Sequence, residues 1–268
     1  MTGEARRDMS MASILLDIDQ WVATISFNRP HRHNAFDNDM QVEFAAALDE
    51  ASSRADVRCI LLRGEGKSFC SGRDVGALGK RAADDSHLGH LGRSLKRKLA
   101  MLDIGKPVVA AMKGHAIGGG FEIALKADIR VAADDARMSL PEIDWGIMTD
   151  SGGSVISAVL AGPSRAKYLV MSGETIDARQ AYEWGLVDFI VPPSDLDARA
   201  ATIARKLASK PPLHLSVAKQ LVDGLHGEAI RRGLRDEMLA IASLYGTADY
   251  AEARAAKRER RNPRFEGR

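Results

Sequence analysis

Apolar and polar positions alternate along Trp21–Phe27: Trp21, Ala23, Ile25 and Phe27 fall on one face, Val22, Thr24 and Ser26 on the other. A period of two predicts a half-buried strand. The apolar run Ile14–Ile18 precedes it, with Asp19-Gln20 as the turn between them. Asp37 stands where it can cap a helix whose Met40, Phe44, Leu48 and Ala51 recur at spacings of 4, 4 and 3. Val57–Leu62 reads as a buried strand that ends in the loop Gly64–Gly72.

The plan then repeats. Lys106–Met112 is a strand headed by Pro107, followed by the loop Gly114–Gly120 and an apolar helix from Phe121. Arg130–Ala133 is another strand, and a loop leads to Gly152-Gly153 and a helical stretch at Ser154–Leu160. Strand, glycine loop and helix in succession indicate α/β organisation. After about residue 195 the strands stop. Leu196, Ala200, Ile203 and Leu207 make one helical stripe, Leu213, Val217 and Leu221 a second beyond Pro211-Pro212, and Ile230, Leu234, Met238 and Ile241 a third. The predicted division is a loose tail over 1–11, a core with the active site over 12–195 and a helical region over 196–268. Apolar stripes of this kind suit subunit contacts.

Composition narrows the class. With 268 residues, 45% apolar and 28% charged, the chain can bury a substantial core and stay soluble. No apolar run approaches the roughly 18 residues of a membrane span, and the polar start lacks a secretory h-region. Cys59 and Cys70 form no CxxC or Cys/His cluster, which points to a reducing cytoplasm and no zinc. A net charge of +2 is too small to imply nucleic acid, and the basic run Lys257–Arg261 reads as a solvated helix face.

Common cofactor signatures fail. Gly66-Lys67-Ser68 looks like the end of a P-loop, but Leu61 stands where its first glycine belongs. Gly118-Gly119-Gly120 opens a helix after a strand, yet Ile123 replaces the last glycine of a dinucleotide loop. There is no GxSxG, and His87 with His90 reads as a loop pair rather than a metal site.

What the glycine loops can do is hold an anion. A helix that opens after glycines presents unpaired N–H groups and the positive end of its dipole, and such groups stabilise an oxyanion formed in a reaction. Cys70–Asp74 and Gly118–Gly120 could each aim one N–H at the same oxygen. The same glycines also permit tight turns, and the residues alone leave both readings open. Glu122, among Phe121, Ile123, Ala124 and Leu125, is a candidate for a desolvated acid, or a first-turn glutamate favoured by the dipole. Glu142 follows Pro141; alone it is an ordinary loop acid, and beside Glu122 it would complete an acid/base pair.

At these residues the chain resembles the enoyl-CoA hydratase/isomerase (crotonase) family, from about Ile14 to the C-terminus. Asn28-Arg29-Pro30 with Asn34-Ala35-Phe36 is similar to its "NRP…NA(L/F)" element, and Gly66–Asp74 to its "GxxFCAGxD" loop. Lys106–Ala111 with Gly114–Glu122 resembles "KPVIAAVxGxAxGGGxE", and Pro141-Glu142 its "PE". Trp184–Val187 and Arg261–Arg268 resemble "A..WGLV" and "KRxPxFxGR". The resemblance implies a crotonase-like spiral of ββα units with a C-terminal helical trimerisation region, a trimer or a dimer of trimers. It also implies an acyl-CoA substrate, with no cofactor beyond that substrate's coenzyme A. Oxyanion donors would be the N–H groups of Arg73 and Gly119, and the acids Glu122 and Glu142. Coenzyme A contacts would come from Arg29, His31, Arg32, Ala35, Ser71, Gly72, Asp74 and Gly118.

Three positions depart from the family pattern. Asp150, in Thr149–Gly153, replaces the glycine usual in simple hydratases. Family members with an aspartate there include double-bond isomerases, a dehalogenase that uses it as nucleophile, and a carnitine-pathway hydratase; a plain helix cap is the competing role. His31 takes a place often held by lysine, where Arg32 can substitute, and Lys257 one often aromatic. The expected activity is hydration of a 2-enoyl-CoA. The alternatives are isomerisation with Asp150 and a glutamate, and hydrolysis or dehalogenation at Asp150. An RNA-binding or scaffolding role would be marked by loss of Glu122 and Glu142, and both are present.

Overall fold

The computed structural model describes residues 12–77 and 86–268; the tail over 1–11 lies outside the described residues. In chain order its elements begin β1 (Ile14–Asp19), β2 (Val22–Phe27), α1 (Asn38–Ser53), β3 (Cys59–Gly64) and α2 (His87–Ala100). Next come β4 (Val108–Met112), β5 (His115–Ile117), α3 (Gly119–Leu125), β6 (Ile129–Ala133), β7 (Arg137–Ser139), α4 (Gly153–Ala161) and α5 (Pro163–Ser172). The remainder is β8 (Ile176–Asp177), α6 (Ala178–Glu183), β9 (Phe189–Val191), α7 (Leu196–Ala208), α8 (Pro212–Asp223), α9 (Gly227–Leu244) and α10 (Ala248–Glu259).

Among the described residues the strands form two sheets, ordered β1-β2-β3-β4-β6-β9 and β5-β7-β8. In the first, β1 and β2 are antiparallel and the other pairings parallel. Successive units place β4 and β6 in the large sheet and β5 and β7 in the small one, with a helix carrying the chain onward. This is the expected spiral, followed by the expected helical C-terminal region.

The β1–β2 hairpin turns at Gln20-Trp21 rather than Asp19-Gln20. Both residues have positive φ, 47° and 64°, and Asp19 pairs with Val22. A two-residue turn of that twist matches the twist of its strands. Trp21 is therefore outside the strand and 48% exposed, with Arg58 stacked 4.3 Å over its ring. Nor is β2 half-buried: Val22 and Ser26 are buried as well as Ala23, Ile25 and Phe27. The reason lies far along the chain. Leu196, Ala200, Ala204 and Ala208 of α7 pack on Val22, Cys59, Leu61, Val109 and Val131, so the parallel sheet is covered on both faces.

The opposite face holds the larger core, where Phe27 meets Phe36, Phe44 and Phe69 edge-on at centroid distances of 5.1, 5.4 and 5.2 Å. Asp37 caps α1 by accepting from Met40 N at 2.9 Å, and Met40, Phe44, Leu48 and Ala51 are buried as the spacing predicts. Two further expectations change. The segment Gly114–Gly120 is not all loop, because His115–Ile117 pairs with β7. His90 sits on α2, not in a loop, and the side chain of His87 lies outside the described residues. No helix of the described residues is long and apolar enough to cross a membrane.

Phe27 joins β2, α1 and the 65–74 loop through its three aromatic neighbours. Phe27→Ala should cost about 3–5 kcal/mol, measured by denaturant unfolding; a loss below 1 kcal/mol would show that the cluster does not hold these elements together.

Candidate active site

The NRP…NAF segment acts first as a brace. Asn34, fully buried and left-handed at φ 57°, donates through Nδ2 to Glu65 O (2.9 Å), Ser68 O (2.8 Å) and Phe69 O (3.2 Å), and accepts from Arg29 N (2.9 Å). Asparagine is one of few residues at ease in that backbone region. Arg29 ion-pairs with Asp37 at 3.1 Å and Asp74 at 3.3 Å and donates to Ala35 O. Arg29, Ala35 and Asp74 thus build the loop from within. His31 and Arg32 are exposed on the 3-10 turn Pro30–Arg32, while Ser71 donates its N–H to His33 O at 2.9 Å and its hydroxyl to Arg32 O at 3.3 Å.

Braced this way, the loop meets the start of α3. Phe36 and Arg73 form a parallel bridge, as do Cys70 and Ala116. Gly72 lies so near the second loop that a Cβ there would be 2.7 Å from Ile117 O and 3.3 Å from Gly119 N. The two expected donor segments, Arg73 and Gly119, are therefore neighbours. Gly119 is the first residue of α3, where amides have no partner within the helix. The Arg73 guanidinium donates to Phe36 O at 3.4 Å and to Asn38 Oδ1. Burial pushes the Cys70 thiol up to about 12, which removes it as a nucleophile at neutral pH.

Both glutamates converge on this junction. Glu142 is on the 3-10 turn Pro141–Trp145, and its Oε1 lies 2.6 Å from where a Cβ on Gly118 would be. Gly118 has φ 52°, so glycine is required there for both conformation and space. Glu142 Oε2 is buried without a hydrogen-bond partner. Burial first, then the charge of Glu122, raises the Glu142 carboxyl well above the ordinary glutamate value. Glu122 is 2% exposed, and its Oε1 accepts from Ser151 N at 2.8 Å and Gly153 N at 2.9 Å. Burial, helped by the charges of Asp150 and Glu237, pushes it up to about 7.

Asp150 does not cap α4. The cap position belongs to Gly152, without a side-chain bond. Asp150 instead pairs with Lys98 at 2.6 Å through Oδ2 and accepts from Ser151 Oγ at 3.0 Å through Oδ1. Desolvation pushes this carboxyl up, but Lys98, the Ser151 hydroxyl and Lys126 together outweigh it and hold the group below the ordinary aspartate value.

Three charged residues at the site were not legible as site residues. Lys98 on α2 reaches Asp150 across 52 positions of sequence. Lys126, 9% exposed, donates to Lys98 O at 3.4 Å and lies in the field of Glu122. Glu237 on α9 is 3% exposed and bonds to Thr149, Gly152 and Ser154. Its signal was an acid within the stripe Leu234, Met238, Ile241, at a position facing the core. Lys257, in the place often aromatic, lies 5.2 Å over the Trp145 ring.

A profile of the enoyl-CoA hydratase/isomerase family matches residues 17–268. A short-chain-enoyl-CoA hydratase of Clostridium acetobutylicum is 33% identical over 255 residues, covering 94% of this chain and 97% of its own. The 1,2-epoxyphenylacetyl-CoA isomerase of Escherichia coli is 33% identical over 265 residues, covering 96% and 99%. The crystal structure of an enoyl-CoA hydratase/isomerase from Pseudoalteromonas atlantica superposes with a TM-score of 0.86 at 26% identity, over 95% of this chain and 100% of that one.

The environment of Glu122 has a measurable consequence for stability. The folded protein holds the Glu122 proton to about pH 7, against about 4.5 for an ordinary glutamate. The stability this proton contributes is therefore full below about 4.5 and lost as pH rises to about 7, at up to about 1.4 kcal/mol per pH unit. Glu122→Gln cannot lose it, so its unfolding free energy should rise relative to wild type across that window. A pH-independent difference between the two would show that Glu122 titrates normally.

Proposed function

Because the chain belongs to the enoyl-CoA hydratase/isomerase family, we propose that it adds water across the double bond of a 2-enoyl-CoA thioester. The observation that carries this reading is a buried Glu122 and a Glu142 with a buried, unpartnered oxygen, both with raised proton affinity, beside two adjoining amide loops. Glu142, whose carboxyl burial raises well above the ordinary glutamate value, supplies the acid; Glu122, near 7, supplies the base. The thioester oxygen accepts from Arg73 N–H and Gly119 N–H. Glu122 takes a proton from water, the hydroxyl oxygen bonds to Cβ, and the displaced electron pair becomes the enolate held by those amides. Glu142 then gives its proton to Cα, and exchange with solvent resets both acids. Each amide contributes about 10²–10³ in rate and each glutamate about 10²–10⁴.

Asp150 supports the isomerase and nucleophile readings less well. One of its oxygens is tied to Lys98 and the other to Ser151 Oγ, and a carboxyl held below its usual value is a weak base. Coenzyme A enters beside the 3-10 turn of His31 and Arg32, where the exposed Arg32 guanidinium suits its phosphates and His31 offers a ring N–H. The exposed stripe Leu213, Val217 and Leu221 on α8 supports assembly as a trimer or dimer of trimers.

The test is the loss of enoyl-thioester absorbance on mixing the protein with crotonyl-CoA. Wild type should turn over rapidly, Glu142→Gln about 10²–10⁴ more slowly with acyl-CoA binding retained, and Asp150→Asn with most of its rate. Unchanged turnover in Glu142→Gln removes that residue from the mechanism. A wild-type protein that binds acyl-CoA but leaves crotonyl-CoA intact moves the activity to isomerisation.

A further inference from the structure

The segment 151–154 offers four successive backbone N–H groups, and they point alternately to two buried carboxylates. Ser151 N and Gly153 N donate to Glu122 Oε1 at 2.8 and 2.9 Å. Gly152 N donates to Glu237 Oε2 at 2.7 Å, and Ser154 N to Glu237 Oε1 at 2.9 Å. Glu237 Oε1 also accepts from Thr149 Oγ1 at 3.0 Å and Ser154 Oγ at 2.5 Å. These four hydrogen bonds tie the Glu237 side chain to the loop whose alternate amides grip Glu122.

We propose that Glu237, brought in by α9 of the C-terminal helical region, is a positioning residue for the reaction: it sets the 149–154 loop so that two amides fix Glu122. The backbone cannot alternate in this way with ordinary residues. Gly152 has φ 101°, and a Cβ on Gly153 would meet Thr149 Cγ2 at 2.6 Å and Glu122 Oε1 at 3.0 Å. The carboxylate of Glu237 thus does from outside the loop what Glu122 does from inside it, and removing either leaves two amides of a tight turn without acceptors.

The charges facing Glu122 are Asp150 from the loop, Glu142 from the 3-10 turn, Glu237 from α9 and Lys126 from its own helix, with Lys98 of α2 behind Asp150 and Lys126. Glu237 opposes ionisation of Glu122, and Lys126 favours it. Loss of the Glu237 charge should therefore let Glu122 ionise at lower pH.

The test compares wild type with Glu237→Gln and Glu237→Asp. It reads kcat and KM for crotonyl-CoA, and the titration of Glu122 by carboxyl carbon-13 NMR, assigned by its loss in Glu122→Gln. In Glu237→Gln the Glu122 midpoint should fall by about one pH unit and kcat up to about 10²-fold with KM nearly unchanged. Glu237→Asp keeps the charge but withdraws the carboxylate, so the midpoint should stay while kcat falls. An unmoved midpoint and kcat in Glu237→Gln, or a lowered melting temperature alone, would overturn the proposal. Should Glu237→Gln not fold, an unchanged kcat in Glu237→Asp overturns it equally. The kinetic arm rests on the hydratase reading. Wild type inert towards crotonyl-CoA overturns that reading alone, whereas the titration decides the role of Glu237 without it.

Discussion

The constraint on which the site depends is the burial of carboxylates that share one short stretch of backbone. Glu122 and Glu237 are both almost fully covered, and between them they take all four amides of Ser151–Ser154. An ionised group in such surroundings is costly unless hydrogen-bonded and paired. The amides satisfy part of that demand, and Lys98 and Lys126 supply the positive charge. What remains unsatisfied is visible as the raised proton affinity of Glu122 and Glu142. In the proposed reaction that raised proton affinity is the useful quantity, because it brings carboxyl groups towards the pH at which they can exchange protons.

The fold provides the rigid support such an arrangement needs. The large sheet is packed on both faces, by the aromatic cluster around Phe27 on one side and the alanine face of α7 on the other. Loops at the strand ends are then cross-braced by buried polar groups. Asn34 binds three carbonyls of the 65–69 segment, and Arg29 joins Asp37 to Asp74. These bonds hold the Gly72-Arg73 segment beside the start of α3, so the two amides proposed as oxyanion donors come from adjoining loops. The family motif is in this respect mostly scaffolding.

Asp150 illustrates how one position can change chemistry within a common frame. A free aspartate there would be a candidate base or nucleophile. Here Lys98 and Ser151 occupy its two oxygens, and its negative charge acts on its neighbours, raising both Glu122 and Glu142.

The hydrophobic pattern alone determined the strand, glycine-loop and helix succession, the α1 cap and its buried stripe, and the helical end of the chain, because these depend on neighbours within a few residues. The motifs, read by resemblance, also singled out Glu122, Glu142, Arg73 and Gly119 as candidates. Only the tertiary structure decided what surrounds them. The second buried face of β2 comes from α7, more than 160 residues away in the sequence. The partner that replaces a capping role for Asp150 comes from α2, and the acid that completes the 149–154 clasp comes from α9. Periodicity reports whether a position faces the core but not which charge it meets there. Proton affinity, orientation and the division of labour among four acids are set by those long-range meetings, in a medium where the absence of water makes each of them count.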